Sequence, residues 1–322
     1  MNSAFGASGS NDGFWLIKTI DRKTNVKGAP YLDMMLCDKK GEISAKLWDY
    51  SEITHGAYEA GDLVKVRATV TQINGADQLR VEKIRKVTLT DGVNISDFVP
   101  TAEYSGEMML GTIMNVIASV EDEELKTLTY ALVKDREKDI LTWPAAFKLH
   151  HAIRGGLLYH TLSILKLAEG VVKLYPSVDK DLLYCGIIVH DLCKIDEFDL
   201  NPAGLVSAYS VKGELIGHLV MGAMKIEQKA LELGISSEKA MLLEHMVISH
   251  HGQPDFGAAV RPMFLEAEIL SQLDTLDATV YEITSAVSDV KQGEFTGRMW
   301  ALDNRKLYNH GRKECLPKAN LE

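Results

Sequence analysis

His150-His151-Ala152-Ile153-Arg154-Gly155-Gly156-Leu157-Leu158-Tyr159-His160-Thr161 opens the stretch on which the fold of this chain turns. His190-Asp191-Leu192-Cys193-Lys194-Ile195, Gly217-His218, Ser249-His250-His251 and Ser271-Gln272-Leu273-Asp274 complete it. Of the ten histidines in 322 residues, eight fall here: His150, His151, His160, His190, His218, His245, His250 and His251. His160 lies on an apolar run, 157–175, that reads as a helix, and His190-Asp191 ends a second run, 182–189. His218 sits inside 215–220, His250 closes 246–249, and Asp274 interrupts a pattern that begins near Met263. From His160 to Asp274 these stations stand 30, 28, 32 and 24 residues apart. Each gap is a helix plus a connection, so each helix of a bundle delivers one or two polar groups inward. A lone histidine on an apolar face is ordinarily a hydrogen-bonded core residue. Five helices each burying an imidazole or carboxylate are different, because unpaired they would destabilise the core severely. Imidazole and carboxylate together are a ligand set for divalent metals. The pattern predicts a metal centre.

Working outward, helices are expected over about 107–119, 123–138, 157–175, 179–193, 211–233, 236–251 and 263–291, with Glu121-Asp122-Glu123-Glu124 as an electrostatic helix start. From 14 to 87 the period falls to two: Ile43, Ala45 and Leu47 alternate with Ser44, Lys46 and Trp48. Turn signals at Gly28, Gly41, Gly61 and Asn74-Gly75 separate strands near 14–20, 31–37, 42–48, 62–73 and 78–87. Five such strands make a small barrel of OB type. Phe14, Tyr31, Trp48 and Tyr50 are read as outward rings beside Lys46, Lys65 and Arg67, an arrangement that stacks the bases of a single strand. Lys46 and Trp48 are the chief candidates. Beyond Gln292 the tail is polar with isolated Phe295, Trp300 and Tyr308, so it is expected to pack across the bundle or onto a neighbouring copy.

The formal charge of −10 argues mildly against a polyanion partner, but it is unevenly spread. Through residue 98 there are 13 basic and 13 acidic residues, leaving 22 against 32 beyond it. The N-terminal part therefore has room for a basic face, with modest, salt-sensitive affinity. No apolar run reaches the ~18 residues of a membrane span. Residues 1–12 lack the layout of a signal peptide and are expected to be a disordered tail. Four cysteines without C-x-x-C pairing suit a cytoplasm.

The order His, His-Asp, His, His, Asp resembles that of the HD-domain metal-dependent phosphohydrolases. The words around His151, His160, His190 and His250, with Gly293-Glu294-Phe295-Thr296 and Leu302-Asp303-Asn304-Arg305, narrow the resemblance to the bacterial YhaM-type 3′–5′ exoribonucleases, from about Phe14 to Tyr308. Tyr159 and Cys193 depart from the pattern, standing where an acidic residue and a glycine are expected. The expected architecture is multidomain β + α. Residues 1–12 are a tail, 13–90 an OB-fold barrel, 91–105 a linker, 106–292 an all-α HD bundle and 293–322 an extension.

For phosphodiester hydrolysis two metals would lower the pKa of a water and clamp the phosphate. One is assigned to His160, His190, Asp191 and Asp274, the other to Asp191, His218 and His250. His251 competes for the second, and Asp277 is the alternative to Asp274, whose Gln-Leu-Asp setting matches the family. Lys194 is expected to neutralise a phosphate oxygen, and His150, His151 and Arg154 to contact substrate. Mn²⁺ is the first candidate, as the resemblance also implies, with Fe, Co and Mg open. Single-stranded RNA, by resemblance, or single-stranded DNA is the expected substrate, cleaved to nucleoside monophosphates by a homo-oligomer. A phosphohydrolase of a small nucleotide or cyclic dinucleotide is the competing reading, and a binding module with a vestigial site the third.

Overall fold

The computed structural model describes residues 10–38, 41–73, 75–147 and 151–321. The chain divides into two compact units, Met1–Thr101 with Leu200–Leu205, and Ala102–Asp199 with Val206–Glu322.

In the first unit β1 (Ser10–Thr24), β2 (Pro30–Asp38), β3 (Gly41–Trp48), β4 (Leu63–Ile73) and β5 (Ala76–Lys86) close a barrel in the order β1-β2-β3-β5-β4. Neighbours are antiparallel except β3 and β5, which run parallel with Lys46 opposite Arg80. One helical turn, α1 (Glu52–His55), leads from β3 toward β4. This is the OB-type barrel the alternation predicts. Ala45, Leu47, Val64, Val66 and Ala68 are buried while their neighbours in sequence turn outward or toward the rim, as the two-residue period of a strand demands.

Three details differ from the sequence reading. Strand β1 begins at Ser10, inside the stretch read as a tail, because Asp12 lies opposite Arg67 and pairs with it at 2.6 Å. Tyr50 is not an outward ring: it is buried in the barrel core, with its hydroxyl donating to Gly56 O at 2.8 Å. Residues 95–99, read as linker, pack back on this unit, burying Val99 beside Leu16.

The second unit is a helix bundle: α2 (Gly106–Ala118), α3 (Glu123–Lys134), α4 (Glu137–Ile140), α5 (Gly156–Leu174), α6 (Lys180–Val189), α7 (Lys194–Glu197), α8 (Val211–Leu233), α9 (Ser237–Ser249) and α10 (Leu265–Ser288). A short hairpin, β6 (Phe198–Leu200) and β7 (Val206–Tyr209), separates α7 from α8. Side chains cap the starts of α3 and α6 where the sequence placed them, although both helices end about four residues earlier than their apolar patterns suggest. Asp122 accepts from Glu124 N and Leu125 N, and Asp179 from Leu182 N, each cap worth about 1 kcal/mol. Leu158, Ile164, Leu183, Ile187, Leu243, Met246 and Leu270 fill one core. Beyond it the tail folds into an irregular hairpin, bridged Phe295 to Tyr308 and Met299 to Arg305 and turned by Asp303 and Asn304 in left-handed conformation.

The candidate metal centre and its cavity

Asp191 stands at the convergence of four helix ends and faces. Helix α6 stops at Val189, so His190 and Asp191 occupy the turn beyond it, and α5, α8 and α9 bring His160, His218 and His250 to the same point. The two oxygens of Asp191 face different partners. Oδ2 lies 3.3 Å from His190 Nε2, 3.8 Å from His160 Nε2 and 2.7 Å from Lys194 Nζ. Oδ1 lies 3.4 Å from His218 Nε2 and 3.5 Å from His250 Nε2. Asp274, on α10, closes the first group with Oδ1 at 3.0 Å from His160 Nε2. His160, His190, Asp191, His218 and His250 are all buried.

Which nitrogen each ring offers follows from the partner of the other. His190 Nδ1 lies 2.7 Å from Ile187 O and His250 Nδ1 2.7 Å from Val247 O. A carbonyl oxygen only accepts, so both rings carry their proton on Nδ1 and turn an Nε2 lone pair toward Asp191. Carboxylates do the same elsewhere. His218 Nδ1 meets Glu197 Oε1 at 2.9 Å, and His160 Nδ1 meets Asp277 Oδ2 at 2.7 Å. Outer oxygens that orient histidine rings in this way are the usual supports of metal ligands.

Among the described residues, His190 Nε2, His218 Nε2 and Asp191 Oδ1 are buried and meet no hydrogen-bond partner. Such orphaned atoms are costly unless something binds them. Nitrogen lone pairs and carboxylate oxygens converging within 4 Å fit a divalent cation, and His160, His190 and Asp191 form one cluster with metal-ligand spacing.

Charge is balanced tightly here. Burial alone would raise the Asp191 carboxyl, but Lys194 and His190 hold it well below the usual range. Burial likewise pulls Lys194 down, and Asp191 more than restores it. For His160 the carboxylates of Asp274 and Asp277 outweigh burial and push it up to about 10, so a cation there would compete with a proton. Burial, with His250 and His218 nearby, drives His251 down to about 3.

The remaining candidates divide. His251 joins His218 and His250 in a second cluster of ligand spacing. Asp277 is turned away from Asp191: it binds His151 Nε2 at 2.8 Å, His160 Nδ1 and the Ser163 hydroxyl. His151, expected to contact substrate, is buried beneath this network with φ +54° and does not line the cavity that contains Lys194 and Asp274. Its carbonyl oxygen lies where a Cβ on Gly156 would sit, 2.0 Å away, so the glycine lets the turn tuck His151 under α5. Arg154 is half-buried and also absent from that cavity wall. His150 lies outside the described residues.

That cavity has a volume of about 630 Å³ and is lined by Lys194, His218, His251 and Asp274 together with Glu197 and several aromatic rings. In the barrel, Tyr31 and Trp48 stack at 4.6 Å with Lys46 Nζ 5.3 and 5.7 Å from their ring centres. Arg67, grouped with these cations in the sequence, is instead occupied by Asp12.

The HD domain family matches residues 157–279. The 3′–5′ exoribonuclease YhaM of a Geobacillus species is 41% identical over 298 residues, 92% of this chain and 91% of that protein. Its Bacillus subtilis counterpart is 40% identical over 298 residues, 92% of this chain and 94% of its own. This chain belongs to the YhaM family. As a YhaM-type enzyme it is a metal-dependent hydrolytic nuclease, a 3′–5′ exoribonuclease, and the small-nucleotide reading is not favoured. Among solved structures, the second OB-fold domain of replication protein A from Methanococcus maripaludis aligns with 24% of this chain and 83% of its own length, at 19% identity and a TM-score of 0.20. Among the described residues no helix is long and apolar enough to cross a membrane.

Sequence reading passed over three residues that the structure sets beside the candidate ones. Glu197 sits in the acidic run Asp196-Glu197-Phe198-Asp199, and only the structure shows that it is the buried one, set against His218. Arg80 gave no signal, because only the parallel β3–β5 register brings it beside Lys46. The cavity-lining Trp300 was noticed only as an isolated ring.

Proposed function

We propose that this exoribonuclease holds two divalent ions, Mn²⁺ foremost, on either side of Asp191. His160, His190 and Asp274 complete one site, and His218 and His250 the other, with His251 beside it. The observation that carries this reading is the split of the Asp191 carboxylate between two histidine groups. When bound, such ions supply Lewis acidity toward phosphoryl oxygens and lower the pKa of water. The chain's own residues do the rest. Lys194, 2.7 Å from Asp191 and lining the cavity, offers its ammonium to a phosphate oxygen. The barrel grips single-stranded RNA through Trp48, Tyr31 and Lys46, with single-stranded DNA as a second substrate, and nucleoside monophosphates leave one at a time. We further infer a homo-oligomer working in the cytoplasm, in keeping with four free cysteines.

The test is digestion of end-labelled single-stranded RNA and DNA with added Mn²⁺, resolved by length, alongside elemental analysis. Shortening from the 3′ end, blocked by a 3′-phosphate, with close to two ions per chain and loss of both metal and activity in Asp191→Ala, is the expected result. Full activity in chelator with no stoichiometric metal would end the proposal.

A further inference from the structure

The wall of the catalytic cavity is more aromatic than hydrolysis of a phosphodiester requires. Phe147, Phe198, Tyr209, Phe256 and Trp300 all line it, along with Lys194, His218 and Asp274. Phe147 and Phe198 support Tyr209 from within, each edge-on to it, at 5.8 and 5.2 Å. The outer rings are different. Trp300 is 74% exposed, Phe256 72% and Tyr209 40%. They come from three separate segments: the tail hairpin, the turn Pro254–Phe256 after α9, and strand β7.

Nothing in bundle folding calls for a wide-open tryptophan at the mouth of a charged cavity. The segment that carries it is nevertheless well anchored. Leu302, two residues on, is buried, and the bridges 295–308 and 299–305 hold the hairpin closed. An anchored segment presenting exposed rings beside phosphate-binding chemistry has the properties of a base-stacking platform, because every base offers a π-face irrespective of sequence. The volume, about 630 Å³, lies inside the ~300–1,000 Å³ span of small-ligand sites.

We propose that Trp300, with Phe256 and Tyr209, forms a subsite for the terminal nucleobases of the strand, so that the C-terminal hairpin is part of the substrate grip. This rests on the exonuclease reading and adds to it a determinant within the hydrolytic unit, independent of the barrel. The occupant is a base of the substrate end and not a second copy of the chain, since the rings share one cavity with Lys194 and Asp274.

The experiment compares wild type, Trp300→Ala and Phe256→Ala on two short RNA oligonucleotides, one ordinary and one with abasic riboses at its last two 3′ positions. Each variant should raise KM for the ordinary end about 10-fold, and the wild type itself should bind the abasic end that much more weakly, with the variants adding nothing further there. Trp300→Phe should recover most of the loss. Equal KM for wild type and variants on the ordinary end, or equal damage on both ends, would overturn the subsite. Light scattering on the same samples separates the other occupant: if Trp300→Ala splits an oligomer, the ring is an interface and the proposal fails. A wild type that digests neither RNA would instead sink the exonuclease reading, leaving the two failures distinguishable.

Discussion

Glu197 is where a single carboxylate does two jobs. Its Oε1 accepts from His218 N–H at 3.0 Å and from His218 Nδ1 at 2.9 Å, fixing backbone and ring together. Glu197→Ala should therefore free the His218 ring and weaken metal binding about 10- to 100-fold, the usual consequence of losing such a support. Competition with a chelating indicator measures this directly. Unchanged affinity would mean that His218 is held by its packing alone. Away from the site, Glu244 on α9 and Glu227 on α8 face each other. Burial first, then Glu227, raises Glu244 from 4.5 to about 6. The folded state thus holds this proton more tightly than the unfolded chain, so stability declines as pH rises from about 4.5 through 6. Glu244→Gln should raise the melting temperature at pH 7 and leave it unchanged near pH 4. A gain that is equal at both pH values would show that ionisation is not the cause. Of these residue-level features the converging histidine and aspartate series was legible, since apolar runs advertise their polar exceptions. The orienting oxygens of Ile187 and Val247 were not, because a backbone carbonyl leaves no mark on composition.

Elements were easier to read than their interruptions. The apolar period over 211–233 predicts one helix, yet α8 is broken at Gly217, with φ +75° and ψ +157°. The break is what releases the His218 amide from helical bonding to meet Glu197. An intact helix would commit that amide to its own carbonyl four residues back. Side chains rarely tolerate this backbone region, so Gly217→Ala should destabilise the fold by about 1–3 kcal/mol. It should also lower metal affinity in parallel with Glu197→Ala, and combining the two changes should add little further loss of affinity. Fully additive losses in the double variant would separate the kink from the ring's support. Strand β1 and the 95–99 turns were misjudged for a related reason. Short polar or mixed segments carry no period of their own, and only their partners, Arg67 for Asp12 and Leu16 for Val99, define them. Tyr159 is a further case. As a departure from the family pattern it had no reading in the sequence, but its hydroxyl bonds both N and O of Ala319, tethering the C-terminal segment to α5.

At the scale of the molecule, the proposed strand grip and the hydrolytic site lie in separately compact units of different net charge: the first 98 residues are neutral, and all the excess acid lies beyond them. An acidic hydrolytic unit gains little from long-range attraction to a polyanion, so in the proposed function the Tyr31–Trp48–Lys46 surface carries the hold on a long strand beyond its end. Trp48→Ala should then weaken binding to long single strands about 10-fold while leaving turnover of a dinucleotide nearly intact. Equal damage to both would make Trp48 a folding residue. The same pair of substrates tests whether the grip and the metals must belong to one chain. A Trp48→Ala chain keeps its metals and an Asp191→Ala chain keeps its grip, so neither digests long RNA efficiently alone. If barrels serve neighbouring copies in the proposed homo-oligomer, mixing the two should restore processing of long RNA in proportion to mixed species, with dinucleotide turnover unchanged by mixing. Subunit exchange confirmed by differential tagging, without any recovery on long RNA, would place both functions in a single chain.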